Sequence, residues 1–463
     1  MIRINHGLLY IFICAMVFFS SCKKDRVDVA ALPLTNGGSP AIASPELVKD
    51  TALMVSRDVY LWNTQIPATL NARDYTDPAA IMKSIQPFSM EAGFGAPVDK
   101  WSFAMKKTEW DQMSGGIGSL LSGTGDAGDF GLFVFFRTEG DLRVRLVEPN
   151  SPAGLAGIKR GWRITQINGN SNISTAGSSS IVNSVYYSPV TSFVFTRPDG
   201  SSVSLTLNAT HYAEKPVLMD TVYHMGAQKI GYLLFNSFLG NTAQISAEFQ
   251  RLFSKFASQQ VTDVVVDLRY NGGGYVSLAE KLANYLVPAG ANGGVMMKQQ
   301  YNSQNSSNNV TSYIAKTGAL QLSKVYFIVT KSTASASELL INSLKPWMDV
   351  KLVGPSATHG KPVGFYPISA GDWYVFPVSF KTINKNGEGN YYNGLPVNAA
   401  VADGLDKDWG DVNESCLAAA IRNITTGAYY RGEQQTYLPS PEIMKSNSVL
   451  DEPFIKVTIG KDL

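Results

Sequence analysis

The sequence of 463 residues contains only three cysteines, and none of them belongs to a CxxC pair. Structural zinc sites and iron–sulfur clusters need several thiolates close together, so neither is expected. The four histidines lack the spacing of metal ligands, and we predict no metal site and no cofactor. An excess of charge of one sign is also missing, because 39 Lys and Arg stand against 37 Asp and Glu. This balance disfavours binding to nucleic acid through its phosphates.

Long apolar stretches are equally scarce, since no segment reaches the ~18 residues that a membrane-spanning helix needs. The longest run, residues 8–19, has 12 residues and follows Arg3, which is typical of the apolar part of a signal peptide. Two serines then precede Cys22, and this pattern resembles the lipobox of bacterial lipoproteins, although Phe19 replaces the more common leucine. We predict cleavage after residue 21 and lipidation of Cys22. An ordinary secretory signal with an incidental cysteine is the alternative.

The remaining composition is that of a folded protein. Apolar residues make up 44% and charged residues 16% of the chain, which excludes wholesale disorder. Cys416 would be a lone thiol, expected to be a small buried side chain. Composition and motifs divide the chain into a signal peptide (1–21), a flexible tether (22–44), a helical segment (45–112), a β-rich segment (113–212), an α/β segment (213–430) and a C-terminal extension (431–463).

Local patterns predict the elements within these segments. Helix starts are predicted at residues 44–46 and 77–78, and Trp62, Trp101 and Trp110 are expected in the core. In the β-rich segment, strands are predicted at 131–137, 142–147, 162–167, 192–197 and 203–207. In the α/β segment, strands are predicted at 230–235, 264–268, 325–329, 350–353 and 373–382, helices at 242–258, 277–286, 335–345 and 411–424, and a long polar loop at 291–316.

Residues 151–169 carry the first motif, in which the run SPAGLAGI leads through a glycine turn to a strand and Asn168-Gly169. This stretch resembles the second half of a PDZ domain. The resemblance implies a groove that binds the C-terminus of a peptide by strand addition, with backbone N–H groups holding the carboxylate. The carboxylate loop would lie near Phe130, Gly131 and Leu132. A PDZ-shaped spacer or lid without a peptide ligand is the alternative.

Three glycines follow a buried strand in the run DLRYNGGG, residues 267–274. Glycines let backbone N–H groups face a bound oxygen without obstruction by a Cβ atom, which suits an oxyanion hole. A phosphate site is disfavoured because GxGxxG and GxxxxGK[ST] are both absent. Asp267 and Arg269 are interpreted as a structural ion pair.

Two further segments hold a candidate nucleophile and a candidate base. In TASASE, residues 333–338, Ser335 and Glu338 have the spacing of a capping box, and a serine at a helix N-terminus also suits nucleophilic chemistry. Lys361 stands between Gly360 and Pro362, where burial would lower its pKa toward the value that a general base needs. Each segment alone has an ordinary structural explanation, a helix cap in one case and an exposed loop lysine in the other.

The order of these motifs resembles the C-terminal processing (tail-specific) protease family of serine peptidases, over residues 130–370. The N-terminal segment contains Tyr60-Leu61-Trp62 and Asp99-Lys100-Trp101-Ser102, and with these it resembles the helical leader of lipoprotein members from Bacteroidetes-type bacteria. The resemblance implies an α/β multidomain protein with a helical N-terminal segment, a PDZ-like β-rich domain and a ClpP/crotonase-like α/β core. It implies a Ser/Lys dyad in which Ser335 is the nucleophile and Lys361 the general base. The N–H groups of Ala336 and of Gly272 or Gly273 would form the oxyanion hole.

The implied function is cleavage of proteins or peptides with free C-termini at the cell envelope. The lipid anchor would attach the protein to a membrane, most simply the outer one, facing the periplasm or the cell surface. Two features depart from the family: the Ser335–Lys361 spacing of 26 is one residue longer, and Phe365 stands where many members have a glutamine that orients the lysine. His359 is expected on the surface, and assistance to Lys361 is the alternative. The alternatives are a catalytically inactive PDZ-type binding lipoprotein and an acyl-CoA enzyme, which export from the cell disfavours.

Overall fold

The computed structural model describes residues 44–113, 128–430 and 441–455. The predicted signal peptide, nearly all of the tether and the predicted lipidation site Cys22 lie outside these residues, so those predictions stay as they are. Among the helices of the described residues, none is long and apolar enough to cross a membrane. The same residues contain no group of three or more His, Cys, Asp or Glu side chains arranged to hold a metal ion.

The N-terminal segment contains helices α1 (Pro45–Val59) and α2 (Pro78–Ile85), strand β1 (Phe103–Lys106) and helix α3 (Lys107–Met113). Both predicted helix starts are confirmed, since Ser44 and Asp77 cap the helices by accepting N–H groups of the first turn. Strand β1 was not predicted. It joins a sheet with residues more than 260 positions later, and local periodicity does not reveal such a partner.

Five antiparallel strands form the next unit, which we call the β2–β6 module. They are β2 (Leu132–Thr138), β3 (Asp141–Val147), β4 (Arg163–Ile167), β5 (Val190–Thr196) and β6 (Ser202–Asn208), with short helices α4 (Pro152–Leu155) and α5 (Ser178–Val182). Their sheet order is the chain order, so β2 is an end strand. The five strand predictions are confirmed. Strands β3 and β6 alternate apolar and polar residues, whereas β2 begins as a continuous apolar run, Leu132 to Phe136.

The remaining elements build the α/β part of the chain. In chain order they are β7 (Val217–Met225), β8 (Gln228–Phe235), α6 (Thr242–Ser258), β9 (Asp263–Asp267), α7 (Val276–Leu286), β10 (Val295–Tyr301), β11 (Val310–Tyr313), β12 (Lys324–Ile328), α8 (Ala336–Leu344), β13 (Asp349–Gly354), β14 (Val363–Gly364), β15 (Ile368–Ala370), β16 (Trp373–Phe376), β17 (Phe380–Asn384), β18 (Ala399–Ala400), α9 (Ser415–Thr426) and α10 (Pro441–Ile455).

A six-stranded sheet of order β18-β13-β12-β9-β8-β7 lies at the centre of this part, and its strands are parallel except for β7. Val264 and Val266 of β9 face a core cluster that includes residues of α6, α7 and α8. Val265 faces the opposite cluster, which includes residues of α9, Cys416 among them. Alternate residues of a strand point to opposite faces, so the short apolar runs here mark strands covered on both sides.

Two predictions in this part are wrong. The segment 291–316 is not a loop, because it contains β10 and β11, and β10 pairs with β17. The many Gln, Asn and Ser residues of this segment are typical of a loop, so the sequence did not indicate β10. The partner of β10 in the sheet lies about 80 positions away. The predicted strand 373–382 is interrupted at Pro377 into β16 and β17, which belong to different sheets. Proline has no N–H group to donate to a sheet, and the chain changes partners there.

The predicted terminal helix is four residues shorter at its start than expected. It begins at Ser415 rather than at residue 411, because Glu414 caps it by accepting the N–H of Leu417. The three tryptophans expected in the core are buried. They belong to a cluster that also includes Val363 and Phe365, so the N-terminal segment packs against the chain that follows Lys361.

Candidate active site

The candidate site lies where two neighbouring parallel strands end. Strands β9 and β12 pair in register, with Asp267 opposite Ile328, so their following loops leave the same edge of the sheet. The loop after β9 contains the three glycines, and the loop after β12 leads to Ser335. Ligand sites of open α/β sheets form at the carboxyl ends of such strands.

Three hydrogen bonds tie the glycine loop to the serine loop. The carbonyl of Asn271 accepts the N–H of Ala334 at 3.1 Å and the hydroxyl of Ser337 at 3.0 Å. The hydroxyl of Thr333 donates to the carbonyl of Leu268 at 2.7 Å. These groups are buried, so the bonds hold the two loops in a fixed relation.

Ser335 is the residue before helix α8, and its backbone is strained. Its φ of 52° lies in a region that residues other than glycine seldom adopt, which costs about 1–3 kcal/mol. The predicted capping box is present, and the Glu338 carboxylate accepts the Ser335 N–H at 3.0 Å. The side chain is half-buried at the positive end of the helix dipole, which stabilises negative charge that develops there.

The glycine loop leaves one of the two candidate N–H groups available. The N–H of Gly273 donates to the Asn271 side chain at 2.9 Å, so it is already engaged. Within the described residues, the N–H groups of Gly272 and Ala336 have no hydrogen-bond partner. Gly274 has a φ of 134°, and a Cβ atom there would lie 2.4 Å from the Phe238 backbone, so only glycine fits.

Lys361 is connected to Ser335 through the carboxylate of Glu338. One oxygen of this carboxylate accepts the N–H groups of both Ser335 (3.0 Å) and Lys361 (2.8 Å). The other oxygen accepts the N–H of Gly360 (2.6 Å) and the hydroxyl of Thr358 (2.5 Å). Burial raises the pKa of the Glu338 carboxyl, and these four donors oppose that shift. A single buried side chain therefore brings the two predicted dyad residues into one site.

The side chain of Lys361 is buried, with 5% of the residue exposed. Burial lowers its pKa to about 7, while the charges of Glu338 and Asp99 oppose that change. The ammonium nitrogen lies 4.1 Å from the centre of the Phe365 ring. Phe365 packs in turn against the ring of Phe103 of β1. An aromatic side chain therefore stands at the position where many members of the family named above have a glutamine. The alternative of an exposed loop lysine is therefore wrong, and Lys361 has the burial that the predicted general base requires.

His359 is not the surface histidine that we expected. It is half-buried, its Nε2 accepts the indole N–H of Trp101 at 3.3 Å, and burial lowers its pKa to about 4. Nothing in the local sequence indicates this contact, because Trp101 is 258 positions away. At neutral pH the ring is therefore uncharged and does not compete with Lys361 for a proton.

The expected ion pair between Asp267 and Arg269 forms, and it belongs to a larger buried network. Arg269 also binds Asp403 at 2.6 Å and Glu414 at 2.8 Å. Arg160 of the β2–β6 module binds the same Asp403, so the network joins that module to the central sheet. Sequence patterns did not indicate Asp403 or Glu414, since both lie more than 130 positions from Arg269.

The three predicted peptide-binding residues face inward. Phe130 and Leu132 belong to the core of the β2–β6 module, and each is 1% exposed. The N–H of Gly131 donates to Asp129 at 2.6 Å, and Ser151 fills the space beside its Cα. In this conformation the three residues present no open site for a carboxylate.

Comparison with known proteins defines the class of this α/β part. Residues 229–388 match the model of peptidase family S41. The chain therefore contains a peptidase domain of family S41, within the C-terminal processing protease family that the motifs resemble. The matched region includes the glycine loop, Ser335, Glu338 and Lys361.

Two curated relatives and one solved structure illustrate the similarity. The chain is 27% identical to proteins named "Probable CtpA-like serine protease" from Staphylococcus epidermidis, over 170 residues, and Staphylococcus saprophyticus, over 246 residues. These matches cover 35% and 51% of this chain but only 33% and 46% of the relatives. A Bacteroides fragilis protein described as an S41 protease has the same fold, with a TM-score of 0.63 at 22% identity, covering 85% of this chain and 99% of that one.

Proposed function

We propose that this protein is a serine endopeptidase of the cell envelope, with Ser335 as nucleophile and Lys361 as general base. The observation that carries the proposal is the Glu338 carboxylate, which hydrogen-bonds the backbone N–H groups of both residues. Burial of Lys361 adds support, because it brings the pKa of the amine to about 7, where it accepts a proton readily. Cys22 is the proposed lipid attachment site, and the β2–β6 module is a proposed PDZ-like domain that recognises substrate C-termini.

The proposed reaction proceeds in two stages. The neutral amine of Lys361 takes the proton of the Ser335 hydroxyl as its oxygen attacks the scissile carbonyl carbon. The N–H groups of Gly272 and Ala336 donate to the oxyanion that forms. The Lys361 ammonium then protonates the leaving amine, and an acyl-enzyme remains. Water, deprotonated by the same amine, releases the acid and restores the Ser335 hydroxyl.

The test uses the chain from Lys23 onward and an unfolded protein with an apolar C-terminus. We expect cleavage, and a fluorophosphonate reagent should stop it while forming one adduct that mass spectrometry locates on Ser335. An adduct on another residue that accompanies loss of cleavage would contradict the assignment. Ser332 is the internal control, since it lies on the same loop and should remain unlabelled.

A peptide-binding protein without catalysis is the second candidate, and Phe365 is the observation that favours it. A ring beneath an ammonium group stabilises the charged form of lysine, which is not a base. The same experiment separates the two candidates. Binding of C-terminal peptides with no cleavage and no adduct on Ser335 would favour the second.

The pH profile of cleavage should report the environment of Lys361. Because only the neutral amine accepts the serine proton, kcat/KM should rise about tenfold per pH unit below pH 7 and level off above about pH 8. An exposed lysine, with a pKa of about 10.4, would instead give a rise that continues to pH 10. His359→Gln should leave the midpoint near 7, because His359 titrates near 4. The measurement needs a peptide without groups that titrate between pH 5 and 10.

A further inference from the structure

Helix α10, residues 441–455, packs on the β2–β6 module. Its contacts are with strand β2, helix α5 and the adjoining turn at residues 175–177. Ile443 and Leu450 are buried in the core cluster of the module, and Ser446 between them donates to the carbonyl of Thr175 at 3.3 Å. These residues recur every three or four positions, so one face of the helix lies on the module. Met444 and Lys445 are exposed on the other side.

Asn447 on the same face pairs with the backbone of strand β2. Its side-chain oxygen accepts the N–H of Phe136 at 2.7 Å, and its side-chain nitrogen donates to the carbonyl of Phe136 at 2.9 Å. This pair of bonds is the one that a residue of a neighbouring strand would make. The amide of Asn447 therefore takes the place of an added strand at this position.

The edge of β2 that Asn447 occupies is the one open to strand addition. Among the described strands, β2 pairs only with β3, and it is the end strand of its sheet. Two residues before Phe136, the N–H of Val134 donates to the hydroxyl of Tyr186 at 3.2 Å. Successive groups that would bind a peptide strand are therefore occupied by side chains of the same chain.

We propose that α10 is an internal ligand of the β2–β6 module, which competes with the C-terminus of a substrate for the groove between β2 and α5. This inference rests on the proposed recognition of C-termini by that module. An extended peptide and α10 need the same Phe136 groups, so binding of one excludes the other. The module then binds peptides only in the fraction of molecules in which α10 has left.

The side chains between α10 and the β2–β6 module allow the helix to dissociate from the module. The interface face of α10 includes Ser446 and Asn447, whose polar groups can return to water. Among the side chains of α10 that the structure describes, Ile443 and Leu450 are the buried apolar ones. Because α10 belongs to the same chain, its effective concentration near the groove is on the order of millimolar. A substrate with one exposed C-terminus must therefore have a high affinity for the groove to displace α10. Peptides that bind weakly would be excluded.

The test measures binding of a fluorescent peptide with an apolar C-terminus to the chain from Lys23 onward. Removal of residues 441–463 and, separately, Asn447→Ala and Leu450→Asp should each tighten binding, by about tenfold or more for the truncation. Lys445→Ala is the matched control on the exposed face of the same helix and should leave the dissociation constant unchanged. A synthetic peptide of residues 441–455, added in excess to the truncated chain, should weaken binding again.

The outcomes separate this inference from the proposed function. Equal affinity of the full and truncated chains for the peptide would overturn the inference and leave C-terminal recognition standing. Binding by neither chain, or equal binding of an amidated peptide, would overturn C-terminal recognition itself and the inference with it. The truncated chain is informative only if it gives a cooperative thermal unfolding transition. If it does not, Asn447→Ala and Leu450→Asp test the inference instead, because both variants retain residues 441–463.

Discussion

Ser335→Ala and Lys361→Ala should each lower kcat/KM by about 10⁴-fold or more, and the double variant should lose no more than either single one. The two side chains share one proton in the proposed reaction, so removing either removes the step that both perform. The residual rate would come from the N–H groups of Gly272 and Ala336 and from substrate binding. Steady-state cleavage of a peptide substrate by the three variants provides the measurement.

Non-additivity is the decisive part of this prediction. Independent contributions would multiply, and the double variant would then fall far below the single ones. Ser332→Ala is the matched control, since this serine lies three positions before Ser335 on the same loop and has no part in the proposed chemistry. Full activity of Lys361→Ala at neutral pH would exclude the lysine as base.

Arg269→Met should lower the free energy of unfolding by about 3–5 kcal/mol, which is typical when one member of a buried ion network is removed. The guanidinium of Arg269 binds Asp267 at 2.6 Å, Asp403 at 2.6 Å and Glu414 at 2.8 Å, and Arg269 is 1% exposed. Methionine would fill much of the volume but leave buried carboxylates with fewer partners. Denaturant titration followed by tryptophan fluorescence, with Trp409 beside the guanidinium, provides the measurement.

The control for this change is Arg73→Met, because Arg73 is exposed and its ion pair with Asp50 lies in water. Such an exposed pair contributes little to stability because water screens it, so the control should unfold nearly as the parent does. A loss for Arg269→Met no larger than that for Arg73→Met would contradict the role of the network.

The same network predicts a loss of stability in acid. Burial raises the pKa of Asp403, but the charges of Arg160 and Arg269 outweigh burial and lower it to about 2. A carboxyl whose pKa falls on folding stabilises the fold above its unfolded value of about 3.9, and this contribution is lost between that pH and about 2. The loss of stability between about pH 3.9 and 2 should be smaller in Arg269→Met, since only Arg160 then lowers the pKa of Asp403 by its charge.

Much of the fold could be predicted from local patterns. The five strands of the β2–β6 module follow from short apolar or alternating runs bounded by turn residues, and the helix at residues 242–258 follows from its apolar face. Strands buried on both faces, such as β9, are recognisable as short continuous apolar runs. Strands β1 and β10 were missed because their pairing partners, β16 and β17, lie far along the chain. Their local sequences give no clear strand pattern, and pairing with these distant strands defines them.

Some features of the candidate site could likewise be predicted from local sequence, and others depended on tertiary contacts. Ser335 and the glycine loop are recognisable because each is a local motif at the end of a strand. Glu338 was predicted as a helix cap, but its contact with the Lys361 backbone depends on the fold. The choice between Gly272 and Gly273 also depended on a tertiary detail, the side chain of Asn271.

The sequence by itself determined the positions of most strands and helices, because apolar spacing and turn chemistry act between residues that are close together in the chain. The candidate nucleophile and base came from the order of the motifs, through its resemblance to a known peptidase family. The tertiary structure alone decided the burial of Lys361, the ion network around Arg269 and the docking of α10 on β2. Each of these depends on contacts between residues more than a hundred positions apart or on removal of a charge from water, and neither is visible in local sequence.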